Sequence, residues 1–440
     1  MIRRRDVQMY ASHRAAMNEQ TLLHGVSVRD ETPELSSSKP SENGLHQAHN
    51  KSCRGQYDKF SMKQRPTEHE RIVCHVSTVH RGLDPRIFWK ECVSLASAGY
   101  RVTLLAPGIP AGIVEGVLCI PLRHETRRWI RPLMGFSAFW RVLRLHPRIA
   151  HFHDPELIPV AVALRVFGLK TIYDAHEDLP KQLKQKDWAQ RPVIRVAVTG
   201  LAWWLERSLR WLSAVVYVVD GQTESKMNAR AVLARNFPRE DLFPPAVTPR
   251  DPTALPINVV YVGGLGRGGD FRVLIDAVGM LPEGQARFLV AGYWKSREFR
   301  DECEQSIGWG RVELLGELAH TEIRGVLLRG DIGVHCPRTE PNVVRSIPLK
   351  VLEYMACGLP MVLTDIPFWH EMFGDIPLYV AEPSAASIAT ALAELINDPA
   401  ARHERGSQGL SLLQANEWYW EKESAKLLAL YEDLLGGIHV

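Results

Sequence analysis

No apolar run in the sequence approaches the roughly 18 uninterrupted residues that a membrane-spanning helix requires. The longest candidates are broken by Arg165, Arg195 or Glu206. The opening MIRRRDVQMYASHRAAM is basic but lacks the apolar stretch of a secretory signal, so export by that route is not expected. Cysteine is sparse: seven among 440 residues, an odd number, widely spread and without a C-x-x-C pair. That distribution argues against a disulfide framework and a zinc site and fits a reducing cytoplasm, and no metal is expected. Charge of one sign is also missing. A net charge of +3 gives no global field to draw nucleic acid, and none is expected as a partner. The GK[ST] of a P-loop is absent, and the glycines of VGGLGRGG do not fit the dinucleotide fingerprint cleanly, since no acid ends the next strand RFLVAG, which disfavours a dehydrogenase.

What is present is organised in blocks. The length predicts two or three domains. Residues 1–68 are polar, without a sustained period of 2 or 3.6, and read as a disordered leader; initiation at Met62 is the alternative reading. From Arg71, short apolar strands alternate with amphipathic helices: IVCHV (72–76), a helix through FWKECVSLASAG, RVTLLAP (101–107), AHFH, LIPVAVALRVFG, TIYDA, LAWWLERSLRWL and AVVYVVD. Asp84 and Pro85 suit the N-cap and first position of the first of these helices, and Gly99 its end. Such alternation predicts a parallel sheet covered on both faces. A Pro-rich segment between 236 and 256 interrupts it, and the rhythm restarts with NVVYVGGLGRGG, RFLVAG, VELLG, DIGVH and PMVLTD. The fold class is therefore α/β, as two Rossmann-like, doubly wound parallel-sheet domains over 69–240 and 257–415, with a linker over 241–256. A last helix over 416–440 is predicted to present Ala425, Leu428, Tyr431 and Leu435 on one face.

Two stretches carry chemistry. In VVYVGGLGRGGDF a strand runs into Gly263, Gly264, Gly266, Gly268 and Gly269, with Arg267 among them. Glycines there let backbone approach a ligand, and a helix N-terminus behind them favours an anion. A purely structural turn is the competing reading. In PNVVRSIPLKVLEYMACGLPMVLTD, Pro348 opens a helix whose inward face is Leu349, Leu352 and Met355 or Ala356. Lys350 and Glu353 share another face, either as a surface ion pair or as a phosphate cation and a ribose acceptor. HFHDPELIP and YDAHEDLP both end a strand in histidine and acid, at the strand edge where open α/β sheets bind ligands; a satisfied cap and a packed histidine are the competing reading for each.

Taken together, DPRIFWKECVSLASAGYRVTLLAPG, HFHDPEL, YDAHED, NFP and PLKVLEYMACGLPMVLTD resemble a bacterial glycosyltransferase of family 4, in the subgroup carrying HDPEL. The resemblance runs from about Arg71 to the C-terminus. It implies the GT-B fold, with two Rossmann-like domains facing across a cleft and the C-terminal helix crossing back to the first. It also implies transfer of a sugar from a UDP- or GDP-sugar to a glycan or lipid-linked acceptor, with retention, without cofactor and without an obligatory metal. His153 is then expected to face the donor sugar and, with Lys350 and Arg267, to form the catalytic set. Donor binding falls to Gly263, Gly264, Gly266, Arg267, Arg345, Ser346, Ile347, Lys350 and Glu353, with Glu353 on the ribose. Asp84, Arg86, Asp154, His176, Glu177 and Asp178 fall on the acceptor side or the cleft. Asp154 is expected to cap the helix begun by Pro155, with Glu156 supporting it.

The sequence departs from that pattern at two places. The first glutamate of the family's Glu, seven residues, Glu signature falls at Arg345, and the subgroup's Arg-Gly pair near 269 and 270 is Gly269-Asp270 here. These departures keep open a catalytically silent nucleotide-sugar-binding subunit, and an epimerase on the same architecture is a third reading. Between 123 and 148, Arg123, Arg127, Arg128, Arg131, Arg141, Arg144 and Arg148 interleave with Trp129, Phe136, Phe139 and Trp140. That mixture suits an anionic leaflet, which would place the protein in the cytoplasm and on the inner face of the cell membrane; RNA binding and a plain solvated face are the competing readings.

Overall fold

The computed structural model describes residues 71–80, 82–123, 131–175, 192–219, 228–246, 254–267, 271–339 and 343–436. The leader expected over 1–68 lies outside them. Among the described residues two sheets form. The first joins β1 (Ile72–Val76), β2 (Arg101–Pro107), β3 (Gly112–Val114), β4 (Val117–Leu122), β5 (Ile149–Phe152), β6 (Lys170–Ala175), β7 (Ala214–Tyr217) and β8 (Ala231–Leu233). Their order is β3-β4-β2-β1-β5-β6-β7-β8, parallel except for the β3–β4 pair. The second sheet is wholly parallel, in the order β11-β10-β9-β12-β13-β14. It consists of β9 (Ile257–Val262), β10 (Ala286–Ala291), β11 (Val312–Gly316), β12 (Ile332–His335), β13 (Met361–Thr364) and β14 (Leu378–Val380).

Helices cover both faces of each sheet, which is why the central strands are continuously apolar. On one face of the first sheet, Val73, Ile149, Ile172 and Ala214 pack against the helix that begins as a π-helix at Pro85–Cys92 and continues as α1 (Val93–Ser97). Asp84 caps it by accepting from the amides of Arg86 (2.8 Å) and Ile87 (3.0 Å), and Gly99 leaves it at φ +86°. On the other face, Cys74, Val76, Ala150 and Phe152 meet α2 (Arg131–Leu145), α3 (Ile158–Val166) and α4 (Pro192–Ser208). The second sheet is sandwiched in the same way. On one side lie α5 (Phe271–Met280), α6 (Arg297–Cys303) and part of the C-terminal helices; on the other lie α7 (His320–Leu327), α8 (Leu349–Ala356) and α9 (Pro367–Phe373). Phe237 and Phe243, from the Pro-rich segment, are buried in this second core.

After α10 (Ala385–Asn397) and α11 (Pro399–Ala415), α12 (Trp420–Gly436) returns to the first sheet. The Trp420 indole donates to Lys90 O (3.1 Å) and Ser94 Oγ (2.8 Å), fixing the start of that crossing. Its buried stripe is Trp420, Glu423, Leu427, Leu430, Tyr431 and Leu434, which corrects the predicted face: Ala425 is exposed. The reason is Glu423, whose carboxylate is buried because it accepts from the Arg235 amide (2.9 Å) and so faces inward despite its charge.

Candidate active site

The two C-terminal strand edges carry the polar side chains. β9 ends at Val262 and turns through Gly263 at φ +124°, a conformation that favours glycine. A Cβ at Gly292 would lie 1.8 Å from Gly263 O, so the turns after β9 and β10 touch backbone to backbone. Two lysines fold over this turn. Lys350 Nζ lies 3.0 Å from where a Gly263 Cβ would be and 3.9 Å from the Tyr261 ring centroid. The Lys295 stem lies 3.1 Å from the corresponding position on Gly264 and 2.7 Å from that on Gly266. Larger residues in the turn would displace both cations.

Behind the turn, α8 follows Pro348. Glu353, one turn inside, is buried and shares a hydrogen bond of 2.8 Å with His320 Nε2 at the head of α7. His335 ends β12 beside Lys350; burial first, and then that charge, push its imidazole well below the usual range. From the first domain, Lys90 approaches the same helix. It is buried, donates to Asn236 Oδ1 (2.6 Å) and feels the Glu353 carboxylate. Burial outweighs that attraction and brings its ammonium down to about 7.

In the first domain the polar groups are buried and paired. Arg86 makes a two-pronged contact with Asp174 (2.9 and 3.0 Å), donates to Ala234 O (3.1 Å) and lies 3.1 Å from Glu91. His75 and His151 are register partners on β1 and β5, and His153 follows two residues later on the same face. His75 Nδ1 lies 3.0 Å from His153 Nε2, and the Tyr431 hydroxyl of α12 bridges His151 Nδ1 (2.9 Å) and His75 Nε2 (3.1 Å). Burial pushes His75 and His151 well down and Glu91 well up.

Residues 256–398 match the family described as glycosyl transferases group 1. The match falls within the second domain. Curated relatives include the Saccharomyces cerevisiae phosphatidylinositol N-acetylglucosaminyltransferase GPI3 subunit, 28% identical over 38% of this chain and 36% of that protein. Another is the Escherichia coli O-antigen chain mannosyltransferase B, 24% identical over 39% of this chain and 45% of that protein. The chain thus spans well under two thirds of the curated relatives it matches. Solved structures similar to it cover far more. Sucrose-phosphate synthase from Thermosynechococcus elongatus has a TM-score of 0.65 at 18% identity, over 84% of this chain and 100% of that one. Anabaena HepE, in complex with UDP and glucose, has a TM-score of 0.58 at 15% identity, over 82% and 99%. The fold is GT-B, as the sequence resemblance implies.

The residues named from sequence do not all gather at the glycine turn of the second domain. Arg267 is two-thirds exposed, pairs with Glu302 of α6 and lies over the Phe299 ring, leaving Lys350 and Lys295 as the cations against the glycines among the described residues. Arg345 is exposed. Ser346 is held in its own turn: its amide and hydroxyl both donate to Val343 O (3.1 Å), and its carbonyl accepts from the Trp369 indole. Ile347 is half-buried beside it. The surface ion pair considered for Lys350 and Glu353 gives way to Tyr261 and His320 as their partners. Asp154 does not cap the turn begun by Pro155. It accepts from Ser77 Oγ, from the amides of Thr78 and Val79 and from Thr78 Oγ1, because the loop after β1 lies directly beside the end of β5. Asp84 caps the π-helix and holds His80 (3.1 Å), and Arg86 is buried on Asp174. His153 is buried beside His75 and Asp174. His176, Glu177, Asp178, Gly268 and Gly269 lie outside the described residues.

Lys90, Lys295, His320 and His335 were not read from sequence. His335 had a signal: DIGVH ends a strand in histidine, as AHFH does. Two cavities, of about 500 and 390 Å³, open at the opposite, N-terminal strand edges, around Arg287 and Arg311 and around Arg148 and Lys170. They are remote from the glycine turn, and the ligand chemistry of a doubly wound sheet lies at its C-terminal edge.

Proposed function

We propose that the protein is a retaining glycosyltransferase that moves a sugar from a nucleotide-diphosphate donor to a glycan or lipid-linked acceptor. The observation that carries this reading is the convergence of Lys350 and Lys295 on the glycine turn of the second domain. As the anomeric C–O bond breaks, negative charge grows on the leaving diphosphate, and fixed cations and amide dipoles at that place lower the barrier. The acceptor hydroxyl attacks from the face the diphosphate leaves and passes its proton to the leaving oxygen. Glu353, oriented by His320, accepts from the ribose hydroxyls, and Lys90 closes on it from the first domain. No cofactor is needed for these steps; UDP, the nucleotide in the HepE complex, or GDP is the donor nucleotide in this reading.

The acceptor side has its own support. On α2, Phe136 and Trp140 are exposed next to Arg141 and Arg144; on α4, which packs on the other side of α3, Trp203 and Trp204 are exposed, with Trp211 just beyond. Indoles and guanidinium groups together suit the interface of an anionic leaflet, so the acceptor in this reading is lipid-linked and the protein peripheral. Among the described residues no helix is long and apolar enough to cross a membrane.

A thermal-shift panel of UDP, GDP, ADP and their sugars tests the donor class; stabilisation by one nucleotide and its sugar supports the reading, and indifference to all of them contradicts it. Cosedimentation with liposomes that ignores anionic lipid content would remove the membrane. Arg345, at the position of the family's first glutamate, favours a second reading, a silent nucleotide-sugar-binding subunit. Nucleotide binding with neither transfer nor donor hydrolysis would select it.

A further inference from the structure

Glu91 is wholly buried, and neither of its carboxylate oxygens makes a hydrogen bond among the described residues. Oε1 lies in the field of Arg86, at 3.1 Å from Nε. Oε2 points at three imidazoles: 3.8 Å from His75 Nδ1, 3.7 Å from His151 Nδ1 and 3.9 Å from His153 Nε2. Those separations are too long for hydrogen bonds. They are close to the edges of a coordination shell, since ligand atoms about 2.0–2.1 Å from a tetrahedral ion stand roughly 3.3 Å apart. The four ligand atoms all lie within 4.8 Å of one another, and the His75–His153 edge is 3.0 Å.

We propose that His75, Glu91, His151 and His153 form a buried site for a zinc-class divalent cation that ties β1, β5 and the π-helix together. Three imidazole nitrogens and one carboxylate oxygen are a donor set that suits zinc. The surrounding groups suit the role as well. Asp174 Oδ2 stands 3.4 Å from His153 Nδ1, the position of a carboxylate that orients a ligating histidine. The Tyr431 oxygen is placed to accept from His75 Nε2–H, which leaves Nδ1 of that ring for the ion. Binding through His151 Nδ1 requires the Tyr431 O–H to turn away from that nitrogen. Arg86 is taken up two-pronged by Asp174, and Glu91 is the one carboxylate among the four ligands. The four ligands come from sequence positions 75, 91, 151 and 153, with only the H-x-H of HFHDPEL visible as a short-range pattern. The site is structural. It is independent of the proposed transfer reaction, whose charge stabilisation lies in the other domain.

The test is metal content of the full chain, purified from zinc-supplemented cells and also refolded with Zn²⁺ or Co²⁺, then desalted. About one equivalent per chain is expected, with the intense visible absorption of four-coordinate Co²⁺ in the cobalt form. Glu91→Gln and His151→Gln should each lower bound metal at least about tenfold, whereas His370→Gln, at an exposed histidine held by Asp365, should keep it. Where a cluster variant does not fold, the refolded wild-type chain decides alone. Less than about a tenth of an equivalent in that chain overturns the proposal, as does metal content that Glu91→Gln and His151→Gln leave unchanged or that His370→Gln removes.

Discussion

The two sheets hold their cations differently at equivalent edges. In the first domain the polar side chains at the ends of β1, β5 and β6 are sealed and interlocked: Arg86 on Asp174, histidine on histidine, Tyr431 across two rings. In the second, the cations around the β9 turn stay partly open, held by a ring face or by neighbouring glycines. A buried ionic layer loses stability when one partner goes, because the other remains uncompensated. A half-exposed lysine over a glycine turn costs the fold little and is available to an anion that comes and goes. In the proposed reading the first edge is architecture and the second is where the ligand binds.

The sharpest way to break the contrast is Arg86→Met. It strands the buried Asp174 carboxylate, and a loss of about 3–5 kcal/mol in urea unfolding is expected. A loss no larger than that of a surface substitution would mean that the first edge is open to water. Lys350→Ala should do the reverse: near-unchanged urea unfolding, with kcat for donor turnover falling roughly 10²-fold if the ammonium stabilises the leaving diphosphate. Unchanged turnover removes Lys350 from the mechanism. Tyr431→Phe deletes the hydroxyl between His75 and His151 and should cost about 1–2 kcal/mol by the same unfolding measurement, which also tests the hold of α12 on the first sheet.

A pH titration sharpens the comparison further. Burial works against the His80 cation, but the hydrogen bond and charge of Asp84, with Asp154 and Asp174 behind, raise it from 6.5 to about 9. The raised value means that the folded chain holds this proton more tightly than the unfolded one. The resulting stability is fully present below about 6.5 and is lost as pH rises through about 9. The difference in Tm between the wild type and His80→Asn should therefore shrink across that window; a constant difference would contradict the pairing. Arg267→Ala should change least, within about 0.5 kcal/mol, since its pair with Glu302 is exposed.

Much of the fold was legible because parallel strands in an interior must be continuously apolar. IVCHV and RVTLLAP coincide with β1 and β2, and Asp84-Pro85 opens its helix as capping chemistry requires. The stripe of α12 was misread because periodicity counts Glu423 as polar, while a backbone amide on Arg235 draws it inward. The glycine turn and Lys350 were visible as local motifs. Lys295 was not, since it reaches the turn from beyond β10 and nothing near it in sequence marks the approach. The histidine and glutamate cluster was hidden for the same reason: the parallel register His75 to His151 is a property of the sheet, and Asp154 found donors on the neighbouring loop that sequence reading assigned to its own helix.

Calorimetric titration of UDP and GDP into the wild-type chain, Lys350→Ala and Lys295→Ala reads the second edge most directly. One nucleotide should bind at a single site in the wild type and lose at least about tenfold in affinity in both variants, because each removes a cation from the diphosphate. Binding that both variants leave intact, or no binding of either nucleotide to the wild type, would contradict the assignment of the glycine turn to a nucleoside diphosphate.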